Sequence, residues 1–134
     1  TVLPMMEQQL GPGITDALAR TAHLLYADNA ALDQWAAAEA ELRLDAPRDG
    51  TATLALVANG GALLSVPLAV RTRLYRLALL AVGCPPGSLT AAHVASIDRF
   101  VADWRGQGPT RVPGDREVAR VHDKLAFYPA LPLS

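Results

Sequence analysis

The sequence predicts a mostly helical α+β fold: a long N-terminal helix, two core helices and a small C-terminal β-hairpin. Three observations predict it. Apolar residues recur at helical spacing from Ile14 to about Leu44. Two further helical runs, near 67–82 and 90–105, are bounded by proline and glycine. Two short alternating runs, Glu117 to Val121 and Leu125 to Tyr128, flank His122-Asp123 as the strands of a hairpin flank its turn.

Each element has its own signals. Residues 1–13 (TVLPMMEQQLGPG) end in Gly11, Pro12 and Gly13, which break regular structure. The first helix then places Ile14, Leu18, Ala22, Leu25, Leu32, Trp35 and Leu42 on one stripe, with acids opposite. Thr15 or Gly13 is placed to cap it, Asn29 is placed to interrupt it, and some 30 residues would span about 45 Å. APRDG (46–50) reads as a turn or linker. Thr51 to Ala58 alternates imperfectly up to Asn59-Gly60-Gly61, which suits a short strand or a hairpin with Ala62 to Val66. Alanine and leucine there suit a helix about as well.

Pro67 fits the first turn of the second helix, which Gly83-Cys84-Pro85-Pro86-Gly87 stops. Its wheel shows two apolar stripes, Val70, Leu74, Leu77, Ala81 and Leu68, Thr72, Tyr75, Leu79, Val82, with arginines in the gaps. Thr90 caps the third helix, whose seam is Val94, Ile97, Val101 and Trp104. Arg99 and Asp103 are spaced to pair across one turn. Gly106-Gln107-Gly108-Pro109 ends that helix, and Val112-Pro113-Gly114-Asp115 makes a turn. The expected division is a connecting segment and long helix at 1–47, and an accessory domain at 48–134.

Composition narrows the classes. A chain of 134 residues, 51% hydrophobic and 19% charged, has the length and composition of one globular domain. No apolar run approaches the roughly 18 residues of a membrane span, Leu74 to Val82 being about half that, and no basic-then-apolar leader opens the chain. The single cysteine, Cys84, excludes an internal disulfide. Thr1 in place of an initiator methionine suggests a piece of a longer protein. Charge is uneven: residues 1–50 carry eight acids against three arginines, a net −5, and residues 51–134 carry nine bases against five acids, a net +4. A basic second half hints at a polyanionic partner, although +4 over this length is common.

Catalytic constellations are scarce. His23, His93 and His122 lie on different elements without ligand spacing, so no metal site is expected. Neither Gly106-Gln107-Gly108 nor Asn59-Gly60-Gly61 has the context of a nucleotide-binding loop. No catalytic residues are assigned. Binding features are better: Trp104-Arg105-Gly106-Gln107-Gly108 sets an aromatic, a guanidinium and an amide at a helix end, with Arg111, Arg116, Arg120 and Lys124 following. Arginine forks suit phosphate, and an exposed aromatic can stack on a base. The competing reading is that Trp104 completes the third helix's core seam.

The linear order of motifs resembles a known family. Leu3-Pro4-Met5-Met6-Glu7, Leu10-Gly11-Pro12-Gly13 and Ala17 to Ala22 with Asp28 resemble the segment that follows the catalytic domain of bacterial tRNA(Ile)-lysidine synthetases. Pro67 to Arg76 looks like that family's arginine-rich helix, and Asp103 to Gly108, the Val112-Pro113-Gly114 turn and the Val118 to Phe127 hairpin look like its closing signature. Residues 51–65 match only loosely.

The resemblance implies an ATP-dependent carbon–nitrogen ligase as the parent, which adenylates the wobble cytidine of the CAU anticodon of tRNA(Ile) and lets lysine displace AMP. That chemistry belongs to an N-terminal PP-loop domain with an SGGxDS-type motif, which this sequence lacks. The resemblance thus implies a tRNA-binding portion, inactive alone and cytoplasmic, with no cofactor of its own. ATP and Mg would belong to the catalytic domain, and the partners would be tRNA(Ile) and that domain. Carried over to this sequence, Arg71, Arg73 and Arg76 match the arginine-rich helix, and Trp104, Arg105 and Gln107 the closing signature; with Arg111 they are the candidate RNA-binding residues. For Arg73 and Arg76 the alternative is ion pairing with the acidic first helix. Two rival readings stand beside this one: a helical interaction or dimerisation module built on the Ile14 to Leu42 stripe, and a small hydrolase around His122 or His93.

Overall fold

The computed structural model describes residues 13–47 and 49–131. The motifs Leu3–Glu7 and Leu10–Pro12, and Arg48 of the linker, lie outside the described residues. The chain divides into two compact units, Thr1–Asp33 and Gln34–Ser134.

Helix α1 covers Ile14–Arg43. It starts at Gly13, whose φ of +93° needs a glycine and whose carbonyl accepts from the Ala17 N–H at 3.0 Å. It passes through Asn29 unbroken. The stripe expected to be its core face is largely exposed: Leu18, Leu25, Trp35 and Leu42 all face solvent, and the buried positions are Ala36, Glu39 and Arg43. At the C-terminal end of the helix the buried positions are held by charge. Arg43 Nε donates to Glu39 Oε2 at 2.7 Å, and Arg43 Nη2 donates to the Gly61 carbonyl at 2.8 Å. The helix end is therefore seated by a paired guanidinium that hydropathy scores as exterior.

Strands β1 (Leu44–Asp45), β2 (Ala52–Ala55), β5 (Thr110–Val112), β6 (Arg116–Val121) and β7 (Lys124–Pro129) form one antiparallel sheet in the order β1-β2-β7-β6-β5. The expected C-terminal hairpin is its β6–β7 pair. The His122-Asp123 turn, with His122 at φ +57°, pins Val121 opposite Lys124. That register sets Val118 opposite Phe127, and β2 adds Ala52 and Leu54 opposite Phe127 and Leu125. All of these side chains share one face and all are buried. Strands β3 (Val57–Ala58) and β4 (Gly61–Ala62) close a separate small hairpin around Asn59-Gly60, as that dipeptide favours. A 3-10 turn at Leu63–Ser65 follows where a longer second strand was an option.

Helices α2 (Leu68–Ala81) and α3 (Ala91–Ala102) pack on one another and on the sheet. Helix α2 buries one broad face, Val70, Arg71, Leu74, Tyr75, Ala78 and Leu79, in place of the two expected stripes; Leu68 and Leu77 are exposed. Helix α3 opens with the expected Thr90 cap, and His93 completes a capping box by accepting from the Thr90 N–H at 3.0 Å. Its seam is Val94, Ile97 and Phe100, each burial of this kind stabilising by about 1.5–3 kcal/mol. The seam does not continue through Trp104, because the helix stops at Ala102 and Asp103 turns to φ −139°. For the same reason the expected Arg99–Asp103 pair does not form, and Asp103 binds Arg105 instead.

Candidate nucleic-acid interface

Released from the helix, Trp104 sits at the surface, 41% exposed. Two neighbours hold it. The Phe100 ring lies 6.1 Å away, centroid to centroid, tilted by 45°, and the Arg120 guanidinium carbon lies 4.8 Å over the indole. Arg120 is itself fixed, since Nη1 donates to the Phe100 carbonyl at 2.8 Å and Nε donates to the His122 carbonyl at 3.3 Å. Strand alternation explains its position. Arg116, Val118 and Arg120 point to the helix side of the sheet, and Arg120 lies past the β5 pairing, which runs only from Val118 to Arg116. Counting by twos from the buried Val118 is the sequence signal that finds Arg120; treating the hairpin arginines as one solvated group hides it.

The loop after α3 is tied by Gln107. Its Nε2 donates to the Asp103 carbonyl at 3.1 Å and, more weakly, to the Arg99 carbonyl at 3.4 Å, while its Oε1 accepts from the Arg105 N–H at 2.7 Å. Gln107 therefore satisfies backbone groups that the helix end leaves open. Arg105 projects outward, its side chain 79% exposed, and pairs with Asp103 at 2.9 Å. Arg111 on β5 lies 3.6 Å from Glu117 and 3.7 Å from Asp115, and is exposed.

The arginines of α2 have different environments. Arg76 is exposed, and Arg73 is half-buried with Nη1 donating to the Ala69 carbonyl at 2.7 Å. Arg71 faces the interior. It meets Asp98 of α3 through Nε at 2.9 Å and Nη2 at 3.1 Å, and Nη1 donates to the Val66 carbonyl at 2.7 Å. Tyr75 adds its hydroxyl to Asp98 at 2.5 Å. Burial alone would raise the Asp98 carboxyl, but the hydrogen bonds from Arg71 and Tyr75 outweigh it and hold the group below the ordinary carboxylate range. Burial, helped by Asp98, pushes the Tyr75 phenol far above its usual value. The bidentate pair joins α2 to α3 and offers no guanidinium face to a ligand.

Among the described residues no three His, Cys, Asp or Glu side chains gather to hold a metal ion. His93 is spent on the α3 cap, and Cys84 is buried, its thiol raised by that burial. No described helix is long and apolar enough to cross a membrane. The arrangement offers outward cations and one braced aromatic, which suit a phosphate-bearing, base-bearing partner better than bond-making chemistry.

Comparison with known proteins agrees with this chemistry. Residues 61–126, which include every candidate RNA-binding residue and Arg120, match the family described as the TilS substrate binding domain. The chain is 50% identical over 121 residues to a tRNA(Ile)-lysidine synthase of Thermobifida fusca, covering 90% of this chain and 35% of that protein. A tRNA(Ile)-lysidine synthase of Streptomyces coelicolor is 44% identical over 119 residues, covering 88% and 31%, and one of Leifsonia xyli 42% over 129 residues, covering 96% and 36%. The chain spans about a third of the length of the curated relatives it matches.

Proposed function

We propose that residues 61–126 grip tRNA, from the premise that this chain belongs to the tRNA(Ile)-lysidine synthase family and carries its substrate binding domain there. The observation that carries the reading is the exposed indole of Trp104, braced by Arg120 and followed in the chain by the outward guanidinium of Arg105, within the matched segment. Arg73, Arg76, Arg105 and Arg111 hold backbone phosphates, and Trp104 lies at the same contact. Arg71 and Gln107 act through the scaffold, Arg71 by fixing α2 on α3 and Gln107 by shaping the loop that presents Arg105.

The partner is tRNA(Ile) with a CAU anticodon, held for a catalytic domain of the same protein that converts the wobble cytidine to lysidine with ATP and lysine. In that reaction the part of these residues is to bind and orient RNA. Fluorescence anisotropy of the chain against tRNA(Ile) bearing CAU, with elongator methionine tRNA as control, tests the reading. Affinity should fall tenfold or more between about 50 and 200 mM salt if several phosphates are contacted. Absence of binding at low salt would remove the reading.

One observation favours a second reading, a helical interaction module: Leu18, Leu25, Trp35 and Leu42 of α1 are all exposed. Light scattering across a concentration series separates the two, because self-association through α1 raises the mass while a monomeric RNA binder does not.

A further inference from the structure

We propose that Trp104 is a stacking platform for one unpaired nucleotide of the bound RNA, and that Arg120 is the positioning residue that holds the platform rigid. The inference rests on the RNA-binding reading and names the part of the RNA that this surface takes.

A tryptophan that merely fills space is normally drawn into the core, yet here the buried seam ends at Phe100 and Trp104 keeps 41% of its surface exposed. It is exposed without being loose. Arg120 covers the ring at 4.8 Å, and two carbonyls, of Phe100 and His122, clamp that guanidinium. The indole is thus ordered before any ligand arrives, which lowers the entropy cost of stacking on it. Gly106 and Gly108 carry no side chain, and open space surrounds both positions. Arg105, the next residue in the chain after Trp104, has its side chain 79% exposed and, among the described residues, pairs with the likewise outward Asp103, which leaves its guanidinium available to a phosphate of the same RNA. A base inside a duplex has both faces covered by its neighbours, so the ligand class is an unpaired nucleotide in a loop, a bulge or a 3′ extension.

The experiment uses the full chain with two RNA duplexes free of loops and bulges, identical except that one is blunt and the other carries an unpaired 3′ extension. Trp104→Ala should weaken the extended RNA about tenfold, a change of roughly 1.4 kcal/mol and within the range for one stacked base, and leave the blunt RNA unchanged. Trp104→Phe should retain most of the affinity, since it keeps an aromatic face. Indole fluorescence supplies a readout independent of the alanine variant's folding: the extended RNA should quench the wild type, and the quench should vanish in Trp104→Phe, which retains Trp35. Equal binding of the two RNAs by the wild type, or equal weakening of both by Trp104→Ala, would overturn the stacking site and leave tRNA binding through phosphates intact. No binding of either RNA at low salt would overturn both.

Discussion

Two arginine–aspartate pairs of this fold have the same length, 2.9 Å, and differ in what surrounds them. Arg71–Asp98 joins α2 to α3 with side chains 10% and 14% exposed; Arg105–Asp103, in the loop that leaves α3, has side chains 79% and 55% exposed. Distance does not separate them, but water does. Inside, each charge has lost hydration and holds its place only because the geometry is bidentate and Tyr75 and the Val66 carbonyl complete the set. Outside, solvent screens the pair, so its contribution is small and the guanidinium can exchange a carboxylate for a phosphate. The same residue type is a fastening in one place and an exposed charge, open to a ligand, in the other.

The largest effect that would break this contrast comes from the interior pair. Asp98→Ala leaves a buried guanidinium uncompensated and should cost about 3–5 kcal/mol, read as a lowered urea midpoint. Replacing both partners with apolar residues (Arg71→Met with Asp98→Leu) should recover much of that loss. A loss under about 1 kcal/mol for Asp98→Ala would mean the two pairs are equivalent after all.

Acid sharpens the contrast. Asp98 has a folded pKa below its unfolded value, so its contribution is present above about pH 4 and disappears as pH falls through the lower folded value. Stability curves of the wild type and Asp98→Asn should therefore converge as pH drops below about 4. Curves that stay parallel through that window would show that the carboxylate adds nothing.

The exterior charges should behave in the opposite way. Arg76→Gln and Arg105→Gln should each reduce the slope of log affinity for tRNA against log salt by about 0.7–0.9. Their unfolding free energies should stay within about 1 kcal/mol of wild type. Asp103→Asn is expected to do least: under about 1 kcal/mol of stability by thermal melting. Freed of its carboxylate partner, Arg105 should then hold tRNA as well as before or somewhat better, whereas markedly weaker binding would show that the exposed pair is a fixed part of the loop.

Much of the fold is legible along the chain because its signals are local. Thr90 and His93 cap α3 from three residues apart, and His122-Asp123 sets the β6–β7 register from within the turn. Strands β1 and β2 are harder to read. They have two and four residues, and β2 pairs with β7 some 70 positions away, so neither length nor alternation marks them. The candidate interface divides the same way. Trp104, Arg105 and Gln107 stand out as a cluster in sequence, whereas the approach of Arg120 to Trp104 follows from how β6 lies beneath the end of α3.

The sequence by itself determined where helices start, where the chain turns, and which family's motifs follow one another in order. Those properties depend on backbone preferences and on side chains a few residues apart. Only the tertiary structure decided which arginines are interior. Whether a guanidinium can be buried depends on a partner that replaces its lost hydration, and for Arg71 that partner, Asp98, lies 27 residues away on another helix.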